Sequence, residues 1–404
     1  MNLHLMIINN ATSLNINSYT KLAFIYLLVC ISCKDSKQSE QPVVEKPVKE
    51  ETTALKPWAI SGFERPAGSV NPVLAPDSTS SFYSEMNKAN IAWESNDVFN
   101  PAATVMGDSI YVLYRAEDKS GVGIGMRTSR IGLAATHDGF TMNRAKAPVM
   151  YPKVDDQQKY EWKGGCEDPR VAVTEEGTYV MLYTQWNNDT PRIGVATSTN
   201  LRDWDKYGPA FAEAYDGKYL NIASKSASIL TQLKDGKITI AKTNGEYFMY
   251  WGEHHVYAAT SPDLINWKPL EDENGELLQL MSPREGFFDS HLTECGPPAL
   301  LTDEGIVLIY NGKNLPGENG APDFTPNTYC AGQALFDKND PTQFKDRLDK
   351  PFLIPTADFE KSGQYPAGTV FVEGLAYLND TFYLYYGCAD SRVGVVTTKW
   401  NPNN

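Results

Sequence analysis

The feature that most constrains the fold is a unit of short strands that the sequence repeats five times. Each unit consists of an apolar strand, a turn, a Tyr-rich strand and a shorter strand that ends in Ser or Thr before an Asp-containing turn, and it recurs along the chain. The Tyr-rich strands begin near Ile110, Tyr179, Gly245, Gly305 and Thr381. Repeats of this kind predict an all-β fold, a five-bladed β-propeller.

Apolar and polar residues alternate within these runs, which indicates half-buried antiparallel strands. No window of about twelve or more residues shows a sustained 3.6-residue period, so a helical fold is not favoured. The inner strand of each blade lines an axial funnel, and polar residues at the starts of the repeats therefore converge although they are far apart in sequence. We expect one site there, suited to a small polar ligand.

The N-terminal part of the chain predicts export. The apolar run of residues 22–32 is too short to span a bilayer as a helix, and we interpret residues 1–33 as a signal peptide. The sequence from Cys30 to Cys33 resembles a lipobox, which predicts a bacterial lipoprotein in the periplasm or at the outer membrane or cell surface; a plain secretory signal is the alternative. Residues 34–57 predict a flexible linker and residues 58–404 the propeller domain. Membrane contact is expected only through the lipid anchor.

Charge and cysteine content exclude several function classes. The formal net charge of −14 would repel a phosphate backbone, so nucleic acid is not an expected partner. The four cysteines beyond the signal region have no C-x-x-C spacing, and His254 and His255 are neighbours on a strand, where side chains point to opposite faces. We expect no metal and no cofactor. Whether the cysteines are buried thiols or form disulfides stays open.

The segment from Gly164 to Arg170 (GGCEDPR) is the strongest candidate for chemistry. Asp168 is a candidate general acid whose charge state Glu167 or Arg170 would set. Pro169 predicts an extended conformation for Asp168. The alternative is a structural Asp168 that caps a turn or pairs with Arg170.

Two further carboxylates are candidate bases: Glu253 in the third repeat and Glu294 at the start of the fourth. An inverting glycosidase uses one carboxyl group as acid and a second, roughly 6.5–9.5 Å away, to activate water. Asp168 with either glutamate can meet this requirement across a funnel. Serine-hydrolase and phosphate-loop motifs do not occur in the sequence.

Taken in order, these segments resemble glycoside hydrolase family 130, the β-mannoside phosphorylases and β-1,2-mannosidases, over roughly residues 90–400. The resemblance rests on the segments 100–101, 113–115, 136–139, 166–170, 296–298, 309–312, 340–341 and 386–390. It implies a five-bladed propeller in which Asp168 is the acid, and in the phosphorylases inorganic phosphate is the nucleophile. By the same matching, Asn100, Arg115 and Asp390 hold the mannosyl unit, and Tyr250 and Trp251 form apolar walls that face the sugar.

Two departures from the phosphorylase pattern indicate the hydrolytic branch. Phosphorylases carry His-Arg in the third blade and Tyr-His-Gly in the fourth, where this sequence has Trp251-Gly-Glu253 and Tyr310-Asn311-Gly312. A phosphate dianion needs cationic partners, whereas Glu253 would repel it. The resemblance then implies that Glu253 or Glu294 activates water, and the choice between them stays open.

The sequence therefore predicts an exported inverting β-mannosidase that releases mannose from β-1,2-linked mannosides, with a mannose-containing oligosaccharide as its partner. One alternative is a phosphorylase that holds phosphate with Arg170, Arg192 or Lys225. The other is a glycan-binding propeller without catalysis. The oligomeric state is not predicted.

Overall fold

The computed structural model describes residues 55–68 and 70–400. The predicted signal peptide and most of the predicted linker lie outside the described residues. The described end of that linker already contacts the folded unit, because the Lys56 ammonium lies 2.6 Å from the Asp346 carboxylate. In the part of the chain that the structure describes, no helix has the length and apolarity needed to cross a membrane.

Short antiparallel strands make up nearly all of the regular structure, and they fall into five consecutive groups that we name repeats one to five. A hairpin of β1 (Phe82–Ser84) and β2 (Ala89–Ile91) precedes them. Repeat one contains β3 (Asp97–Met106), β4 (Ser109–Glu117), β5 (Ser129–Thr136) and β6 (Asn143–Arg144). Repeat two contains β7 (Gly165–Val173), β8 (Tyr179–Trp186), β9 (Arg192–Ser198) and β10 (Asp205–Pro209).

The remaining strands form three further groups. Repeat three contains β11 (Ala227–Lys234), β12 (Lys237–Ile240), β13 (Lys242–Thr243), β14 (Glu246–Trp251), β15 (Tyr257–Ser261) and β16 (Lys268–Pro269). Repeat four contains β17 (Leu292–Cys295), β18 (Ala299–Leu301), β19 (Ile306–Lys313), β20 (Tyr329–Phe336) and β21 (Phe344–Arg347). Repeat five contains β22 (Val370–Leu378), β23 (Thr381–Cys388) and β24 (Arg392–Lys399). The described helical segments are α1 (Gln158–Glu161) and the 3₁₀ turns Ala214–Gly217 and Asp358–Glu360. The all-β prediction is confirmed.

Hydrogen bonds join neighbouring repeats into larger sheets. A parallel pair between Ser129 and Gly165 links repeats one and two. Parallel pairing of β11 with β18, which begins at Leu230 and Ala299, links repeats three and four. Repeat five is a separate three-stranded sheet.

Five clusters of buried apolar side chains lie between successive repeats, and the last of them joins repeat five to repeat one. Representative members, in order around the ring, are Leu113 with Met181, Val195 with Met249, Tyr250 with Tyr310, Ile309 with Val372, and Tyr385 with Val112. Burial of apolar surface is the main favourable term in folding, so each repeat is stabilised mainly by its two neighbours. The repeats therefore close into a ring.

The first strands of three repeats are interrupted at corresponding points. The pairing register shifts between Phe99 and Pro101 in β3, between Glu167 and Arg170 in β7, and between Val372 and Gly374 in β22. Such bulges leave a residue unpaired and redirect its side chain. They release Asn100, Asp168 and Glu373 from the ladders, and these three residues belong to one polar cluster.

Candidate active site

Asp168 occupies the bulge of β7. Its φ of +47° lies in the left-handed region, so the extended conformation predicted from Pro169 is wrong. The ladder shifts register at this point, and the bulge overrides the local preference of a residue that precedes proline. Backbone conformations of this kind are costly and cluster at functional sites.

The Asp168 carboxylate is buried and held by three side chains. Its Oδ1 accepts hydrogen bonds from Asn100 Nδ2 at 2.9 Å and from Arg115 Nη1 at 3.1 Å. The Lys225 ammonium lies 3.8 Å from its other oxygen. Burial by itself would raise the Asp168 pKa, but the cations of Arg115 and Lys225 lower it to about 2. The carboxylate is therefore ionised at neutral pH before a ligand enters.

Arg115 gathers three carboxylates around one guanidinium. Besides Asp168, its Nη2 lies 2.7 Å from Glu117 and 2.8 Å from Glu167. Burial raises the Glu167 pKa to about 7 against the opposing charge of Arg115. Adjacent Glu167 and Asp168 thus differ strongly in acidity, the pattern by which paired carboxyl groups take separate roles.

The backbone of Gly252 brings the two candidate bases together. Its N–H donates to the carbonyl of Ser226 at 2.9 Å, and its carbonyl accepts from the N–H of Cys295 at 3.1 Å. Gly252 has a φ of +127°, and a Cβ there would lie 2.1 Å from the His255 carbonyl oxygen, so this contact requires glycine. Glu253 follows Gly252 in the chain, and Glu294 precedes Cys295. Lys225 precedes Ser226, so the two hydrogen bonds bring both glutamates close to Lys225.

Glu294 is the more deeply buried of the two glutamates. Its carboxylate accepts a hydrogen bond from the Ser226 hydroxyl. Burial, with the negative charge of Glu253, raises the Glu294 pKa to about 7. Burial by itself would lower the Lys225 pKa, but the negative charges of Glu253 and Asp168 raise it more, so the pKa lies above its ordinary value. Lys225 thus stays a cation between the candidate acid and the candidate bases.

Arg170 links the candidate acid and base through its guanidinium. It donates to the Asp168 carbonyl and to the Cys295 carbonyl, at 3.0 Å in both cases. It therefore contacts the backbone of Asp168 instead of pairing with its carboxylate, which was the structural alternative raised by the sequence.

The carboxylate that does face Arg170 is Glu373, a residue that the sequence reasoning missed. Its Oε1 lies 2.9 Å from Arg170 Nη2, and the side chain is 0% exposed. Neither of its oxygens has a hydrogen-bond partner of good geometry among the described residues. Burial raises the Glu373 pKa well above its usual range. A signal was present in the sequence, since Glu373 is the one charged residue in the apolar strand Val370–Leu378.

Asp390 joins the cluster from repeat five. Burial raises its pKa to about 7, against the charge of Arg115. The Gln364 amide holds its backbone carbonyl at 3.0 Å. The structure therefore brings Asn100, Arg115 and Asp390 around Asp168, as the resemblance implied, and their contact with sugar stays a prediction.

Three residues expected to bind substrate face the protein interior. Tyr250 is 0% exposed and donates its hydroxyl to the Pro341 carbonyl at 2.8 Å. Trp251 packs between repeats two and three, with its ring 4.8 Å from that of Phe211. The amide of Asn311 exchanges two hydrogen bonds with the backbone of Val372 and ties repeat four to repeat five. None of the three side chains presents a surface to a sugar, so the structure corrects this expectation.

Arg192 of the phosphorylase alternative is also engaged elsewhere. Its guanidinium donates to the carbonyls of Leu220 and Thr190 and to the side chain of Asn221.

The cysteines at positions 166, 295, 330 and 388 are buried free thiols. Within residues 55–68 and 70–400, no group of three or more potential ligand side chains is arranged to hold a metal ion.

The arrangement offers what acid–base catalysis needs. Carboxyl groups of different acidity surround two guanidinium groups and one ammonium group in a partly desolvated space. Such a site can donate a proton on one side of a bound sugar and accept one from water on the other.

Comparison with known proteins places this geometry in context. The family model of glycoside hydrolase family 130, described as beta-1,4-mannooligosaccharide phosphorylase, matches residues 69–401. A curated 1,2-beta-oligomannan phosphorylase from Thermoanaerobacter sp. (strain X514) is 32% identical over 77% of this chain and 92% of its own length.

Solved structures include more similar proteins. A glycosyl hydrolase from Bacteroides ovatus is 61% identical, with a TM-score of 0.84 over 86% of this chain and 96% of its own. Another structure, 60% identical with a TM-score of 0.85 over 87% of this chain and 97% of its own, carries the description "The GH130 family of mannoside phosphorylases contains glycoside hydrolases that target beta-1,2 mannosidic linkages in Candida mannan".

Proposed function

The chain belongs to glycoside hydrolase family 130, and we propose that it hydrolyses β-1,2-linked mannosides and releases mannose with inversion at the anomeric carbon. Asp168 acts as the acid in this proposal, and Glu294 acts as the base that activates water, with Glu253 beside it. The five repeats that close into a ring are the blades of a five-bladed propeller.

The main support for the proposal is that Arg115, Arg170 and Lys225, the three cations around Asp168, each lie against a carboxylate. Arg115 faces Glu117, Glu167 and Asp168. Arg170 faces Glu373, and Lys225 lies beside Asp168. A phosphate dianion would have to displace carboxylates that already neutralise these cations, and Glu253 and Glu294 would repel it. A water molecule carries no net charge for these carboxylates to repel, and the carboxylates of Glu253 and Glu294 can both accept its hydrogen bonds.

The pKa of Glu294 suits a base at neutral pH. A carboxylate with a pKa near 7 takes up a proton from water more readily than one with the usual value, and it is still ionised above neutral pH. Glu253 contributes by raising that pKa through its own charge.

Asp168 starts ionised and has to be protonated once the sugar is bound. The Lys225 ammonium, at 3.8 Å, is the more distant of its two charged partners. A sugar hydroxyl that enters between Lys225 and Asp168 separates the ion pair and excludes water, and both changes raise the Asp168 pKa. The Glu167 carboxyl contacts the same Arg115 guanidinium and, with a pKa of about 7, can hold a proton next to Asp168 near neutral pH.

The comparisons support hydrolysis because this chain is more similar to a structure described with hydrolases than to a curated phosphorylase. The structure at 60% identity carries a description that names hydrolases of beta-1,2 mannosidic linkages, whereas the curated phosphorylase is 32% identical. Export as a lipoprotein rests on the sequence of residues 1–33. It fits hydrolysis, because a phosphorolytic enzyme would release a sugar phosphate outside the cytoplasm.

Incubation with β-1,2-mannobiose, with and without inorganic phosphate, tests the proposal. We expect free mannose at the same rate in both samples. Formation of mannose 1-phosphate that requires added phosphate would show a phosphorylase, and binding without any product would show a glycan-binding protein.

A further inference from the structure

Beside the carboxylate cluster lies a group of two tyrosines and a lysine, which we name the Tyr–Lys cluster: Lys313, Tyr329 and Tyr365. Lys313 and Tyr329 form a cross-strand pair at the ends of β19 and β20. The Tyr329 and Tyr365 rings lie 5.4 Å apart, edge to face. The Lys313 ammonium lies 5.2 Å from the centre of the first ring and 5.4 Å from the centre of the second.

Strand register places this cluster next to the candidate base. Glu294 pairs with Asn311, and Lys313 follows two residues later on the same face of β19. Two residues of a strand span about 7 Å, within reach of side chains of this length. Burial and the negative charge of Glu294 raise the pKa of the Tyr329 hydroxyl, in agreement with this position.

Tyr365 connects the cluster to Asp390 on its other side. Its backbone N–H donates to the carbonyl of Ala389 at 3.1 Å, and Gln364 holds the carbonyl of Asp390. The Tyr–Lys cluster therefore spans the gap between Glu294 in repeat four and Asp390 in repeat five.

The polar atoms of the cluster are unused. The Lys313 ammonium and the hydroxyl groups of Tyr329 and Tyr365 have no hydrogen-bond or ion-pair partner within residues 55–68 and 70–400, although all three side chains are partly buried. Groups of this kind at the edge of a site are available to a ligand, because they lose no internal bond when the ligand binds.

We propose that Tyr329, Tyr365 and Lys313 form the subsite for the leaving sugar, the pyranose unit that is released when the mannosidic bond breaks. The inference rests on the proposed function. The tyrosine rings offer apolar faces to the C–H groups of a pyranose, and the hydroxyls and the ammonium donate hydrogen bonds to its hydroxyl oxygens. Asn100, Arg115 and Asp390 remain for the mannosyl unit, and the Tyr–Lys cluster borders Asp390, where the leaving sugar joins that unit.

Rates on two substrates distinguish a loss of leaving-sugar binding from a loss of catalysis by the carboxylates. β-1,2-Mannobiose has a sugar as its leaving group, whereas β-mannosyl fluoride has only fluoride and places nothing in the subsite. For Lys313→Met and Tyr365→Ala, we expect kcat/KM on β-1,2-mannobiose to fall about tenfold, the loss typical of a hydrogen bond or a packed ring. The value on β-mannosyl fluoride should stay within about twofold of the wild type.

Lys242→Met is the matched control. Lys242 and Tyr247 also form a cross-strand pair, with the ammonium 4.4 Å from the ring centre, on the exposed edge of repeat three. This variant should change neither rate. Tyr365→Phe, which keeps the ring and removes only the hydroxyl, covers the case in which Tyr365→Ala fails to fold, and it should still lower the rate on mannobiose alone.

Equal losses on the two substrates would overturn the subsite, because the residues would then support the carboxylates and not the leaving sugar. Unchanged rates on both substrates would overturn it as well. A wild-type protein that turns over neither substrate contradicts the proposed function itself, and the subsite falls with it.

Discussion

The two ends of strands β3, β7 and β22 differ in the regularity of their pairing and in the charge of the side chains around them. At one end, β3, β7 and β22 bulge at Asn100, Asp168 and Glu373, and buried carboxylates face guanidinium groups. At the other end the same strands pair without interruption. There they line a cavity of about 210 Å³ formed by residues 103–107, 171–175 and 375–377 together with their neighbours.

The difference shows how one set of strands serves stability and function. Regular pairing and buried apolar side chains at the far end stabilise the ring at little cost. Bulges, left-handed backbone and buried charges at the site end are costly, and they persist only because the rest of the ring holds them. Changes at the site end should therefore lower activity more than stability, and changes at the far end should do the reverse.

Asp168→Asn should have the largest effect on activity. The amide keeps the size of the side chain but cannot donate a carboxylic proton, so we expect kcat on β-1,2-mannobiose to fall about a thousandfold. Mannobiose should still bind, as measured by calorimetry with the inactive variant. A variant that retains more than a tenth of the wild-type rate would exclude Asp168 as the acid.

Glu294→Gln should follow with a loss of about a hundredfold in kcat, since the amide cannot accept a proton from water. The measurement is the rate above neutral pH, where the wild-type carboxylate is ionised. Azide, a nucleophile that needs no base, should restore turnover of β-mannosyl fluoride in this variant. Failure of azide to restore it would argue that Glu294 supports structure.

Glu253→Gln should cost about tenfold and should also move the pH profile. In the wild type, kcat/KM should fall as the pH drops through about 7, because Glu294 then gains a proton. Removal of the neighbouring negative charge lowers the Glu294 pKa, so the acidic limb should shift to lower pH. If Glu253→Gln abolishes activity at every pH and Glu294→Gln does not, Glu253 is the base.

Glu373→Met removes the acceptor that faces Arg170 and should lower kcat about fivefold with little change in KM, since Arg170 bonds the backbone of both Asp168 and Cys295. Glu373→Gln keeps an oxygen at that position and should recover most of the rate. Equal rates for the wild type and Glu373→Met would show that Arg170 is positioned without its carboxylate.

Leu375→Ala, two residues from Glu373 along β22, tests the far end. Leu375 belongs to the buried cluster between repeats four and five, and truncation should lower the free energy of unfolding by about 3 kcal/mol. Well below the melting temperature, kcat should change less than about twofold. Denaturant unfolding and steady-state rates on the same preparation measure both. A large loss of kcat in the folded variant would remove the distinction between the two ends.

The sequence was most informative about what repeats. The alternation around Ile110, Tyr179 and Thr381 predicted the strands, because period-two patterns and Gly or Asp turns act locally. Convergence of Asp168 and Glu294 was predictable for the same reason, since both lie at the starts of repeats and the starts of the repeats meet. These are consequences of local pattern and of ring closure.

Details that depend on packing between repeats were not predictable. Tyr250 and Trp251 lie beside Glu253 in sequence, but alternation along β14 turns their side chains into the clusters on either side of the repeat. The bulge at Asp168 depends on pairing with β8, which overrides the preference set by Pro169. Glu373 acquires its role from Arg170 of another repeat, a contact that sequence order does not reveal.

The most direct test of water as the nucleophile is hydrolysis of β-1,2-mannobiose in isotopically labelled water (H₂¹⁸O), without phosphate, followed by NMR and mass spectrometry during the first turnovers. We expect the mannosyl half to appear first as α-mannose and to carry the label at its anomeric oxygen. Release of β-mannose first, or product formation only after phosphate is added, would contradict it.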